Sequence, residues 1–276
     1  MECPRCSLLS PEGALTCDCG YSFAPTLEPR SGPRTMTFHG GVRDAARALL
    51  AMIGFSLLIV TAAWAYARFY QWLFRHLLLS DGAKATFEGR PAQVWFSALA
   101  LALLPQADRV LPRFVLNKIT DENERAVAAV VLLLLIMVGQ TLAWLDLCRW
   151  MAAGIRVSTG TALTFDGGAG GCFLWVFLCQ VVTALLVPTR FFSLLLLPLV
   201  LRGGSRWMIN HVCSKHSKLR FTGSLWQVWW RTTVAFSLSI LVIPIPWVMT
   251  WLYKWAARNI LIEPVTPEGK AFLPAR

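Results

Sequence analysis

Five stretches of the chain carry no Asp, Glu, Lys or Arg: residues 48–67, 91–107, 126–145, 167–189 and 232–253, of 20, 17, 20, 23 and 22 residues. A helix of about 20 apolar residues spans the hydrocarbon core of a bilayer. A further run, 191–201, has eleven residues, too few to cross alone, and reads as half of a broken or re-entrant element. Between the runs the pattern shortens and alternates, as in Ile155-Arg156-Val157 and Ala162-Leu163-Thr164-Phe165. Turn signals sit beside these segments at Asp81-Gly82, Thr159-Gly160 and Pro267-Glu268-Gly269, which predicts short β-hairpins between helical elements.

Those bridges carry a recurring motif. Trp72 is followed 15 residues later by Phe87-Glu88-Gly89, Trp150 by Phe165-Asp166-Gly167 at the same interval, and Trp207 by Phe221-Thr222-Gly223 at 14. Phe38-His39-Gly40 opens the series and Trp255 closes it. With 16 Phe and 19 Gly in 276 residues, chance placement gives about one Phe-x-Gly, so four at like spacing indicate internal repetition. Each unit begins at Phe-x-Gly, enters an apolar helix, often meets a proline, and returns as a helix ending in a basic-aromatic pair. These pairs are Arg113-Phe114, Arg149-Trp150, Arg206-Trp207 and Lys254-Trp255, with Gln71-Trp72 in the first unit. Polar groups follow three and four residues on: Arg75-His76, Asn117-Lys118, Asn210-His211 and Arg258-Asn259, whereas Ala153-Gly154 departs. Glycine in the motif would let the chain swing from strand into helix, with Phe filling a pocket at the membrane surface.

Charge sets the topology. Lys and Arg number 4 in 68–90, 4 in 108–125, 2 in 146–166 and 6 in 202–231. Crossing runs would place successive loops on opposite sides, and the positive-inside rule would then make these counts alternate. They do not. Helical hairpins with both ends in the cytosol remove the conflict, with breaks near Pro188, Pro198, Pro244 and Pro246. The composition agrees: 56% hydrophobic residues, a mean hydropathy of +0.54, and 13 Trp clustered near the run ends, where amphipathic rings favour the headgroup zone. The net charge of +11 suits anionic headgroups on the cytosolic face. The basic residues track the membrane exits and form no separate patch, so nucleic acid is not an expected partner. The polar N-terminus shows no cleavable apolar segment.

That N-terminus carries Cys3-x2-Cys6 and Cys17-x-Cys19, followed by Gly20-Tyr21. Two knuckles of paired thiolates can surround one tetrahedral structural Zn2+, and in so small a domain metal binding supplies the folding free energy. The segment 1–23 resembles short zinc ribbons, although its second knuckle is Cys-x-Cys in place of Cys-x-x-Cys. Two disulfides are the competing reading. Reduced, metal-bound cysteines place the N-terminus in the cytoplasm. Residues 24–36, rich in Pro, Ser and Gly, read as a linker, and 37–276 as the membrane domain.

Phe221-Thr222-Gly223, the aromatic-rich helix start, Ile245-Pro246-Trp247 and Lys254-Trp255 through Asn259 together resemble the YjgN-like bacterial inner-membrane proteins. The resemblance is best over 163–263 and looser in the earlier repeats, which lack the Pro-Trp; the ribbon is an addition to the pattern. It implies a multi-pass inner-membrane protein whose biochemical role is not established, and it transfers no catalytic residues.

Signatures of catalysis are absent: no His-Glu-x-x-His, Gly-x-Ser-x-Gly, phosphate loop or dinucleotide fingerprint. His211-x-Cys213-x2-His216 lies in a Lys-rich segment and reads as a solvated loop. Asp108, Asp146, Arg190 and Arg231 lie at the ends of apolar runs, where snorkelling competes with a place on a substrate pathway. Gly167, Gly168, Gly170 and Gly171 read as a small-residue packing patch. The expectation is an all-α polytopic membrane protein of helical-hairpin pseudo-repeats joined by short β-hairpins, with about five to eight spans and an N-terminal zinc ribbon. Its expected role is non-enzymatic, the ribbon docking a cytosolic protein or stabilising the terminus. The alternative is a transporter or channel using proline-broken helices.

Overall fold

The computed structural model describes residues 34–57, 59–80, 82–157, 162–186, 190–215, 217–239 and 244–264. The zinc-ribbon segment, with Cys3, Cys6, Cys17 and Cys19, lies outside the described residues, as does all but the end of the linker. The chain divides after Gly32, and every described residue belongs to the larger unit, Pro33–Arg276.

That unit repeats one module four times. Strand β1 (Arg34–Phe38) leads into α1 (Val42–Leu57), a 3-10 turn (Ile59–Thr61), α2 (Ala62–Arg75) and the returning strand β2 (Leu77–Leu79). The second module is β3 (Ala85–Phe87), a 3-10 turn (Pro91–Val94), α3 (Trp95–Leu116), α4 (Glu122–Gly154) and β4 (Ile155–Val157). The third is β5 (Thr164–Phe165), α5 (Ala169–Leu186), α6 (Arg190–Asn210) and β6 (Val212–Cys213). The fourth is β7 (Ser217–Phe221), α7 (Leu225–Ser239), α8 (Ile245–Arg258) and β8 (Ile260–Pro264). Local chemistry places the boundaries. Asp121 accepts the N–H groups of Asn123 at 2.8 Å and Glu124 at 3.0 Å, capping α4. Pro91 starts its 3-10 turn where no N–H is needed. Leu77-Leu78-Leu79 is a strand despite the helix preference of leucine, because β1 pairs along it; tertiary pairing overrides propensity here.

The strands close into a circuit. One antiparallel sheet runs β2-β1-β8-β7-β6-β5 and a second pairs β3 with β4. Single bridges, Leu78↔Lys84 and Arg156↔Ala162, tie the second pair to β2 and to the approach to β5. The first strand pairs with the last through Arg34↔Ile262 and Thr35↔Leu261. The helices follow the same order, each packed on its sequence neighbour, and α1 packs on α8. The core concentrates where hairpins meet the strands, around Ala63, Val94, Leu147, Ala152 and Trp150.

This architecture corrects the all-α polytopic expectation. Eight strands are part of the described fold, and only one described helix, α4, is long and apolar enough to cross a membrane, or two if the bent stretch Pro91–Leu116 counts as one span. The charge-free runs misled because charge measures apolarity and not helix continuity. Run 48–67 contains the end of α1, a 3-10 turn and the start of α2; run 232–253 contains the end of α7 and the start of α8. Those runs are hairpin tips. Helices of 14 to 16 residues such as α1, α2, α7 and α8 rise about 21–24 Å, short of a hydrocarbon core about 30 Å thick. The 33 residues of α4 rise about 50 Å.

Candidate functional site: four aromatic joints

Each module closes where its hairpin returns to the strands, and the closure uses the same parts four times. The Phe of Phe-x-Gly meets the Trp ending the module's second helix edge to face. Ring centroids are 5.6 Å apart for Phe38–Trp72, 5.0 Å for Phe87–Trp150, 5.6 Å for Phe165–Trp207 and 6.0 Å for Phe221–Trp255, with planes at 70°, 78°, 75° and 84°. This geometry sets the positive edge of one ring against the negative face of the other, worth about 0.5–1.5 kcal/mol beyond burial. The middle residue of the motif donates its N–H to the carbonyl of the residue four after the Trp: His39 to His76 at 2.9 Å, Glu88 to Gly154 at 2.8 Å, Asp166 to His211 at 3.0 Å and Thr222 to Asn259 at 2.9 Å. The register also repeats, with Phe38↔Leu77, Phe87↔Ile155, Phe165↔Val212 and Phe221↔Ile260.

The motif glycine is required by close approach. The Phe ring folds back over its own Gly two residues on, and a Cβ on Gly89 would lie 2.5 Å from Phe87 Cζ and 2.9 Å from Trp150 Cε2. The same overlap holds at Gly40, Gly167 and Gly223, none of which adopts a positive φ. The chain does turn from strand towards helix at this glycine, but without a positive φ; its missing side chain is what the joint uses. Among the described residues only Gly82, in the turn after β2, has a positive φ, of 82°.

Three joints carry a polar cap. His76 Nδ1 lies 2.8 Å from the Trp72 carbonyl and His211 Nδ1 lies 2.6 Å from that of Trp207; a carbonyl only accepts, so Nδ1 bears the proton in each. Asn259 Nδ2 donates to the Trp255 carbonyl at 2.8 Å. The second joint has Gly154 here, and a Cβ would meet the Phe87 ring at 2.5 Å and Gly89 N at 3.0 Å. Its Trp150 Nε1 instead donates to the Arg90 carbonyl at 3.0 Å. Arg113-Phe114, read as the exit of a unit, closes no module: no strand follows α3, and Phe114 is 71% exposed in the middle of the long hairpin.

Neighbouring joints interlock through tyrosines that the repeat pattern did not single out. Tyr70, two residues before Trp72, packs on Phe87 and Trp150 at 5.5 and 6.0 Å. Tyr253, two before Trp255, packs on Phe38 and Trp72 at 5.8 and 5.9 Å. Module 1 thus leans on joint 2 as module 4 leans on joint 1, and the circuit has one direction. Burial pushes the Tyr253 phenol up to about 12 and raises that of Tyr70, so both stay neutral.

Other residues singled out from sequence are dispersed. Asp146 accepts from the Ser97 hydroxyl across α3 and α4. The Arg231 guanidinium lies 4.4, 5.4 and 5.1 Å from the rings of Trp230, Trp251 and Trp255, and its buried Nε makes no hydrogen bond; the ring faces hold the cation. The side chains of Asp108 and Arg190, and all of His216, lie outside the described residues. Of the glycine patch, Gly167 and Gly171 pack under Trp207, while Gly168 and Gly170 face open space. Among the described residues no group of three or more His, Cys, Asp or Glu is placed to hold a metal ion.

Beyond the joints the surface turns apolar. Along α4, Val127, Val130, Val131, Leu134, Leu135, Val138 and Leu142 are 47–64% exposed, a helical stripe facing outward. Similar exposure recurs around the circuit at Leu50, Phe96, Leu174, Phe236 and Trp247. Polar contacts between helices interrupt this, among them Gln180 Nε2 donating to buried Gln140 Oε1 at 2.9 Å. No family model, curated protein or solved structure matches the chain.

Proposed function

We propose that the chain is a membrane-embedded, non-catalytic scaffold entered into the bilayer from one face. Three short hairpins dip into the lipid, the α3–α4 hairpin carries the chain across, and the strand circuit lies at the cytosolic surface. The observation that carries this is the outward apolar stripe of α4. Only 28% of the most apolar part of that helix is buried, and soluble monomers rarely expose contiguous apolar patches beyond a few hundred Å2. Lipid is the favoured cover because apolar exposure recurs on every hairpin, whereas a second copy would cover one face. The tips agree: Lys118, Asp121, Glu122, Glu124 and Arg125 surround the α3–α4 turn, while the described tip of the first hairpin, from Ile59 to Ala63, has no charge.

In this reading the four N-terminal thiols, Cys3, Cys6, Cys17 and Cys19, hold one structural Zn2+, and the ribbon is presented through the linker to a cytosolic protein. The family of the resemblance, bacterial inner-membrane proteins, supplies the compartment. The test is side-specific labelling of full-length protein in intact cells with a membrane-impermeant maleimide, with labelled peptides mapped by mass spectrometry. Asn123→Cys should label from outside and Thr222→Cys only after lysis. Release of the chain by alkaline carbonate, or Asn123→Cys closed until lysis, would overturn the reading. Purified protein should carry one zinc per chain, lost in Cys17→Ser.

A further inference from the structure

The second joint differs from the others in the element that faces its surface. Where His76, His211 and Asn259 cap the other joints, the second has Gly154, whose side-chain space the Phe87 ring occupies, and beside it lies a cavity of about 260 Å3 lined by Glu88, Arg90, Gln93, Trp150 and Arg156. The Glu88–Arg156 ion pair across it is long, 3.9 Å, with both side chains substantially exposed, and such pairs contribute little. Two arginines, one glutamate, one glutamine and a tryptophan therefore line a single space. At about 30 Å3 per water-sized group, the space holds roughly eight non-hydrogen atoms. Guanidinium groups match phosphate oxygens in bidentate geometry, and a carboxylate beside them suits an ammonium bearing N–H donors.

We propose that this cavity binds a phosphate ester carrying a primary ammonium group, of the phosphoethanolamine class, with phosphate on Arg90 and Arg156 and ammonium on Glu88. The proposal rests on the membrane-scaffold reading, which sets the joint at headgroup level, where basic pockets beside membrane helices hold lipid headgroups. Two sources share the chemistry: a phosphatidylethanolamine of the surrounding leaflet and a soluble glycerophosphoethanolamine.

The test is native mass spectrometry of the full-length protein in detergent with added phosphatidylethanolamine, phosphatidylcholine or phosphatidylglycerol. Wild type should retain phosphatidylethanolamine at least tenfold over phosphatidylcholine, whose quaternary ammonium has no N–H for Glu88. Glu88→Gln should abolish the preference over phosphatidylglycerol, and Arg90→Ala with Arg156→Ala should reduce retention of all three. Ala153→Phe, which enters the cavity from an exposed position, should block retention without touching the core. Competition by glycerophosphoethanolamine at equal concentration would assign the soluble source; its failure assigns the lipid. Equal retention of the three lipids by wild type, or unchanged preference in Glu88→Gln and Ala153→Phe, would overturn the proposal. Carbonate extraction of the same wild-type protein separates the outcomes: stable membrane integration without lipid preference sinks this inference alone, and loss of integration sinks the scaffold reading.

Discussion

The α3–α4 hairpin and the three shorter hairpins leave the strand circuit through the same joint and differ in what lies beyond it. Phe87 and Trp150 are 63 positions apart in sequence, Phe38 and Trp72 only 34, yet the ring pair, the N–H to carbonyl bond and the strand register are alike. Closure is therefore independent of hairpin length. A joint that defines both ends of an excursion lets reach vary without disturbing the circuit, and reach is where the modules diverge: about 50 Å for α4 against about 21 Å for α8. The long hairpin ends in charges and a capped turn. The described tip of the first ends in Ile59, Val60 and Thr61.

The largest expected effects come from making the two kinds of hairpin chemically alike. Leu134→Arg with Val131→Arg places two cations in the exposed stripe of α4, each costing about 2.5–3.5 kcal/mol near the bilayer centre. Carbonate-resistant chain should fall severely. Val60→Arg, at a short tip and 59% exposed, should cost less, because a shallower cation can snorkel. Equal losses would erase the distinction between crossing and dipping hairpins.

At the joints the comparison reverses, since the long module closes on fewer parts. Trp150 is 6% exposed, touches Phe87 and Tyr70, and has no side-chain cap beside it. Trp150→Ala should destabilise the detergent-solubilised protein by about 3–5 kcal/mol, read from denaturant unfolding. Trp255→Ala, at a partly exposed joint capped by Asn259, should cost less. Gly89→Ala follows, at about 1–3 kcal/mol from overpacking against Phe87 and Trp150. Its control is Gly170→Ala, where a Cβ meets nothing within 4 Å and a helical alanine should be neutral or gain up to about 1 kcal/mol.

The sequence announced every Phe, Gly and Trp of the joints but not their partners. The interval of 14 or 15 residues from Trp to the next Phe measures the link between modules, whereas the rings that touch bracket a whole hairpin of variable length. An interval of 34 marks Phe38 with Trp72 and Phe221 with Trp255 as ends of like units, but Phe165–Trp207 at 42 and Phe87–Trp150 at 63 share no spacing with them. Arg113-Phe114 imitated a helix exit because a basic-aromatic pair occurs there; the missing signals were a strand and a Phe-x-Gly after it, and Asp121-Glu122-Asn123-Glu124 begins another helix. Strand closure was equally hidden: Thr35 and Leu261 pair across most of the chain, a contact with no local signature. Tyr70 and Tyr253 share an offset from their Trp, but Cys148 and Ser205 occupy it in the other modules, so periodicity alone could not raise them. The polytopic expectation failed at breaks such as Ile59–Thr61, where an unbroken apolar run conceals a reversal of direction; the prolines signalled the break before α8 at Pro244, but Pro198 lies inside α6 and breaks nothing.

The smallest expected effect tests whether the polar cap is a part that joints exchange. Asn259 is half-buried, donates Nδ2 to the Trp255 carbonyl at 2.8 Å, and accepts at its own carbonyl from Thr222 N and Oγ1. Asn259→Ala keeps the carbonyl and removes the amide, leaving one helix-end carbonyl without its partner, at about 1 kcal/mol. Asn259→His should cost almost nothing, because His76 and His211 satisfy the equivalent carbonyl through Nδ1 in the same register. A histidine substitution as damaging as alanine, measured by the unfolding midpoint in one detergent, would show that the caps are fitted individually. Tolerance of histidine with loss for alanine would show that three joints obey one rule, and that Gly154, where the Phe87 ring occupies the space of a side chain, is the departure to be explained by what the second joint holds.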